Sequence, residues 1–219
     1  GDCTGSACDL DNGEDIIYGV KSIDSSTQNW GSIAPSSEVF TVINQLPHSG
    51  LGWPLGDIGS QPDPINGYVF TRQTNVGTSS ADILAIKKVD GTTKWLGVTS
   101  NDVVMGYDTK KDLLILRRSA DSVNKILSYN MTTSETSTIS SSFAAGNINW
   151  QAGGNNAIDS YGRIAYTFRG TTLYKINIDD GTEESITLDN APVAITWDSK
   201  EQKLYGINNT DIISINTTT

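Results

Sequence analysis

The sequence predicts an all-β fold made of a repeated, short-stranded sheet unit. Three observations carry this. Alternating apolar runs of four to seven residues recur along all 219 residues, no stretch sustains an apolar period of 3.6, and an aspartate recurs at nearly even intervals ahead of an aromatic or aliphatic strand. At this length a chain buries roughly 70% of the surface it exposes when unfolded, so apolar packing alone can make the core.

The strands expected in chain order are Asp15 to Val20, Glu38 to Ile43, Gly67 to Thr71, Ile83 to Val89, Leu113 to Arg117, Arg163 to Phe168, Leu173 to Ile178, Val193 to Trp197, Lys203 to Ile207 and Asp211 to Ile215. Gly, Asn, Asp and Ser clusters divide them, as turns require. The two ends of the chain share a unit. Asp11 precedes Tyr18-Gly19-Val20 by seven residues, and Asp198 stands seven before Tyr205-Gly206-Ile207. The same aspartate-turn-strand pattern recurs at Asp63 before Tyr68-Val69-Phe70, at Asp108 before Leu113-Leu114-Ile115 and at Asp159 before Ile164-Ala165-Tyr166. The aspartates are 52, 45, 51 and 39 residues apart, close to the roughly 40 to 50 residues of one four-stranded propeller blade. The recurring aspartate reads as a cap of the turn after an inner strand.

In the best-defined unit, Asn147 to Trp150 or Val193 to Trp197 is expected innermost, followed by Arg163 to Phe168, Leu173 to Ile178 and Glu184 to Leu188. Phe168-Arg169-Gly170-Thr171 and Asp179-Asp180-Gly181-Thr182 are the hairpin signals between them. An apolar strand ending in Asp, then one like Lys203-Leu204-Tyr205-Gly206-Ile207-Asn208, then one like Asp211-Ile212-Ile213-Ser214-Ile215-Asn216, resembles the irregular β-propeller repeats of the YVTN, NHL and gluconolactonase-like kind. The resemblance implies about five four-stranded blades over residues 11–219, with units starting near 11, 63, 108, 159 and 198, behind an N-terminal segment 1–10. Closure at the termini is short by a strand. The leading expectation is that the chain continues past Thr219; loose pairing by residues 1–10 and a strand donated by a neighbouring molecule are the alternatives.

Composition excludes several partners. A net charge of −10 without a Lys/Arg stripe argues against nucleic acid and anionic membranes. No segment approaches the roughly 20 consecutive apolar residues of a membrane helix. Cys3 and Cys8, in a Gly/Ser/Thr-rich tip, are expected to form a local disulfide. Together with a start lacking Met and sequons at Asn130, Asn208 and Asn216, they predict a secreted, extracellular, glycosylated chain.

A propeller gathers its site at one channel mouth. On this repeat the mouth loops hold Leu46 to Leu55, Ser100 to Asp102, Phe143 to Asn147 and Asp189 to Pro192, joined by Arg72, Ser119, Arg169 and Asn208. The ligand-binding candidates are therefore Trp53, His48, Asn101, Asp102, Asn147 and Asp189. Trp53, between Gly52 and Pro54, is the candidate stacking platform for a sugar. Trp150 and Trp197 end inner strands and are expected to fill the wedge between blades. His48 is the only histidine, and no G-x-S-x-G elbow accompanies any serine, so neither a triad nor a zinc site is supported. Asp9, Asp11 and Asp15 around Gly13 offer oxygen ligands for calcium, against the simpler reading of a solvated acidic turn. No cofactor is otherwise expected. The function anticipated is a non-enzymatic scaffold or recognition module that binds protein, glycan or copies of itself in an oligomer or filament. The alternative is a calcium-dependent hydrolase or lactonase.

Overall fold

A computed structural model describes residues 16–23, 27–34, 36–37, 39–47, 61–75, 77–99, 101–120, 123–143, 156–208 and 211–217. The chain divides into two compact units, residues 1–56 with 62–100, and residues 57–61 with 101–219. The described residues form small antiparallel sheets and no helix.

In the first unit, β1 (Ile17–Ser22), β2 (Gln28–Ile33) and β3 (Phe40–Leu46) make one sheet, and β4 (Gln61–Asp63), β5 (Tyr68–Thr74), β6 (Ala81–Lys87) and β7 (Thr93–Trp95) another. The second unit holds β8 (Asp102–Asp108), β9 (Leu113–Ala120), β10 (Val123–Asn130) and β11 (Thr136–Phe143), then β12 (Asn156–Asp159), β13 (Ile164–Arg169), β14 (Thr172–Asn177) and β15 (Glu183–Thr187), then β16 (Ala194–Asp198), β17 (Lys203–Asn208) and β18 (Asp211–Ile215). Each sheet is a meander in which consecutive strands are neighbours. Among the described residues three sheets have four strands, and the two toward the chain ends have three, where five of four were expected.

One turn chemistry repeats after β4, β8, β12 and β16. Asp63 Oδ1 accepts from the Ile65 and Asn66 amides at 2.9 Å each, Asp108 from Lys110, Asp159 from Tyr161 and Gly162, and Asp198 from Lys200 and Glu201. Four residues past each aspartate the backbone turns left-handed, at Gly67, Asp112, Arg163 and Gln202. Only Gly67 advertises that conformation; the other three adopt it because the capped turn and the two flanking strands dictate it. The recurring aspartate is thus a turn cap. A second repeated geometry joins the third and fourth strands. Lys87, Asn130 and Asn177 donate to the carbonyls of Thr92, Glu135 and Thr182, with left-handed residues at Gly91, Ser134 and Gly181.

Two boundaries differ from the sequence reading. The strand before β13 is Asn156–Asp159, where 147–150 was expected; the latter span lies outside the described residues. The strand that pairs with β13 has four residues and announces itself only by its terminal cap. Asp102, expected in a loop, is the first residue of β8.

Packing is face to face. Met105, Ile115 and Ile126 of the β8–β11 sheet meet Ala165, Ile176 and Ile178 of the next, with Ile158 and Tyr174 at the margin. Gly106 permits this approach: a Cβ there would lie 2.5 Å from Ile158 Cγ1. On the opposite side of the β12–β15 sheet, Tyr166, Phe168 and Leu173 pack on Ile195, Leu204 and Ile215. Trp197 stacks on Tyr166 with centroids 5.5 Å apart, filling the wedge between sheets as expected. In the first unit, Trp30 and Leu46 pack with Val69, Leu84 and Ile86, and the Trp30 indole donates to Lys88 O at 3.0 Å.

Candidate functional site

Most described carboxylates are committed to the fold. Asp108, fully buried, receives Arg163 Nη1 at 2.6 Å, and Nε and Nη2 of the same guanidinium hold Asp179 at 2.8 to 3.1 Å. Lys111 Nζ also reaches Asp179 at 2.7 Å, and Ser160 Oγ accepts from the Thr109 amide. Together these groups rivet the β8–β9 turn to the next sheet. Arg163, then Lys111, hold the Asp179 carboxyl well below the usual range. The Arg163 guanidinium is pushed up, first by Asp179 and then by Asp108 against the opposing effect of burial.

Of the sequence candidates, Asp102 is buried, and Arg118 clamps it bidentately, Nε to Oδ1 at 2.6 Å and Nη2 to Oδ2 at 2.9 Å. Asn101 precedes it in a turn and is half-buried, while Asp189 is exposed in a bend. Trp53, His48, Asn147, Asp9, Asp11, Asp15, Cys3 and Cys8 lie outside the described residues. Among the described residues no three of His, Cys, Asp or Glu gather as a metal-holding group. Asn130 Oδ1 accepts from the Thr132 and Thr133 amides, Asn208 is half-buried, and Asn216 is exposed just after β18.

Two features escaped the sequence reading. On β9, Arg117 is only 5% exposed, yet its Nε and Nη1 have no hydrogen-bond partner; desolvation holds its guanidinium below the usual arginine range. Its signal was available: Arg117 keeps the alternation of Leu113 and Ile115 and so occupies an inward position. On the last sheet, the face turned away from Ile195, Leu204 and Ile215 leaves a pair of aliphatic side chains exposed. Ile207 of β17 sits directly across from Ile212 of β18, at 46% and 77% exposure, and Val193, at 56%, donates its amide to Ile207 O.

No family model and no curated protein matches the chain. Solved structures do, and they are β-propeller proteins. A chain of the nidogen/laminin complex matches with a TM-score of 0.60 at 15% identity, over 92% of this chain and 71% of that one. TolB from Acinetobacter baumannii matches with 0.62 at 12%, over 94% and 52%. An oligogalacturonate lyase in complex with manganese matches with 0.56 at 10%, over 86% and 53%. The chain spans about half the length of the latter two. At such identities the likeness establishes the irregular propeller fold that the aspartate-spaced repeats suggested.

Proposed function

We propose that this chain is a secreted, non-enzymatic recognition module whose partner is a protein. The observation that carries the reading is the exposed Ile207 and Ile212 pair on the face of β17 and β18 turned away from Leu204 and Ile215. Ile207 and Ile212 lie directly across from each other on one sheet face, both exposed, and the exposed Val193 is tied to Ile207 through the backbone. Each would contribute on the order of 1 to 2 kcal/mol on burial by a partner, from about 25 cal/mol per Å². Lys203, Glu201 and the Tyr205 hydroxyl form an ion-paired polar fringe beside them, the composition of an interface with an apolar centre and a polar rim. A chain of a complex between two proteins, nidogen and laminin, shares the fold, which supports a protein partner over a small substrate. Secretion rests on the Cys3 and Cys8 pair and the sequons. At Asn130 the cap uses Oδ1, so a glycan on Nδ2 would leave that turn intact.

The test presents the chain to a panel of extracellular protein domains and to a glycan array. Saturable binding to a protein, weakened at least tenfold by I207K or I212K without loss of folding, is the expected result. Binding to glycans alone, or a calcium-dependent lactone hydrolysis, would replace this reading.

A further inference from the structure

The facing sheets β8–β11 and β12–β15 carry a layer of unused polar capacity beside their apolar layer. Ile115 and Ala165 belong to that apolar layer. Two residues further along their strands come Arg117 and Thr167, which by strand alternation lie on the same two facing surfaces. Arg117 is flanked in register by Val103 and Ile126, and Thr167 by Asn156 and Tyr174. Asn124 shares the Arg117 face, two residues from Ile126. Thr167 is fully buried and its Oγ1 has no partner, like Nε and Nη1 of Arg117. The nearest acidic residue along β8, Asp102, is held by Arg118 on the opposite face of the sheet.

A guanidinium stays protonated in proteins, so this charge cannot be shed by titration. Burying it unpaired costs several kcal/mol, a cost that evolution retains where a ligand supplies the missing counter-charge. We infer that the interface between these two sheets at Arg117 is a carboxylate-binding site. The unpartnered Nε–H and Nη1–H groups lie on opposite edges of the guanidinium and each donates singly, and Thr167 and Asn156 belong to the opposing sheet. A monoanion matches one positive charge; a phosphate dianion would leave one negative charge uncompensated in a buried site of a chain whose net charge is already −10. The carboxylate comes either from a small free acid or from an Asp or Glu side chain of another protein. The inference stands without the protein-recognition reading.

The experiment titrates the 219-residue chain with sodium acetate and with acetyl-Gly-Glu-Gly-amide at constant ionic strength in chloride, reading the thermal midpoint and heat of binding. A saturable response is expected from the wild type, weakened at least tenfold in R117M and in R117K, which keeps the charge but replaces the planar donor set with a single ammonium. Without ligand, R117M is expected to melt at or above the wild-type temperature, because the orphaned charge is gone. Tenfold tighter binding of the tripeptide than of acetate identifies a protein side chain as the source, and the reverse order a free acid; both support the site. No response beyond that to chloride, an equal response in R117M, or a ligand-free R117M that melts well below wild type each overturns it.

Discussion

Removing the Arg163 guanidinium tests whether the rivet between the β8–β9 turn and its neighbour holds the second unit together. In R163A, Asp108 Oδ1 loses a 2.6 Å ion pair and keeps only the Lys110 amide at 3.1 Å, while its Oδ2 has no partner to begin with. The Ser160 carbonyl also loses a 3.0 Å bond. Stranding a buried carboxylate costs about 3 to 5 kcal/mol. The Asp179 contacts add little, since that carboxylate is 41% exposed and screened by water. Alanine inherits the same left-handed backbone at φ +63°, so strain neither grows nor relaxes. A net loss of about 3 kcal/mol lowers the melting midpoint of a domain this size by about 6 to 12 °C. The assay is calorimetry with a double-mutant cycle on D108N: the pair should cost at least 1.5 kcal/mol less together than the single changes summed. A loss below about 1 kcal/mol, or additivity within about 0.5 kcal/mol, refutes the rivet.

Acid should weaken the fold in a defined window. Asp179, Asp180, Asp198 and Asp90 are all held below the ordinary aspartate range, Asp179 by Arg163 first, the others by turn hydrogen bonds. Folded pKa values below the unfolded ones mean that their stabilisation is complete above about pH 5 and drains away as pH falls through and below about 4. Melting midpoints from pH 7 to pH 2 check this, and R163A should flatten part of the acid limb. D63A removes the acceptor for two backbone amides and for Asn66 Nδ2 at a fully buried position, and denaturant midpoints should report a loss of about 2 to 4 kcal/mol. G106A drives a methyl into Ile158 and should cost about 1 to 3 kcal/mol, with the combined G106A/I158A variant less destabilised than the two losses summed. Q202G relaxes a left-handed residue at φ +55° and should stabilise by about 0.5 to 1 kcal/mol in the same measurement.

The repeat was legible because its periodic elements are local. An aspartate caps one or two backbone amides within three residues, so Asp63, Asp108, Asp159 and Asp198 mark the same turn wherever the chain writes it. Strands with apolar alternation, such as β9, β13, β14, β17 and β18, were visible for the same reason. β11 was not, for its Thr and Ser side chains face solvent along most of its length and carry no apolar signal. β2 and β8 were missed because Gly31 and Gly106 interrupt their patterns for reasons that lie across the sheet: Phe40 covers Gly31, and Ile158 occupies the space above Gly106.

The candidate residues illustrate the same limit. Asn101, Asp102 and Asp189 were grouped by loop position, yet Asp102 faces Arg118 sixteen residues later and ends as a buried ion pair. Arg163 looked like an ordinary strand residue, and its role depends on Asp108, 55 residues earlier. What the sequence determined by itself is the β class, the spacing of the units and the capped turns, all set by interactions within a few residues. Which charges are matched was decided only when the sheets packed, because whether Arg118 is satisfied and Arg117 is not depends on which face of one strand each occupies and on what the neighbouring strands and sheets bring against that face.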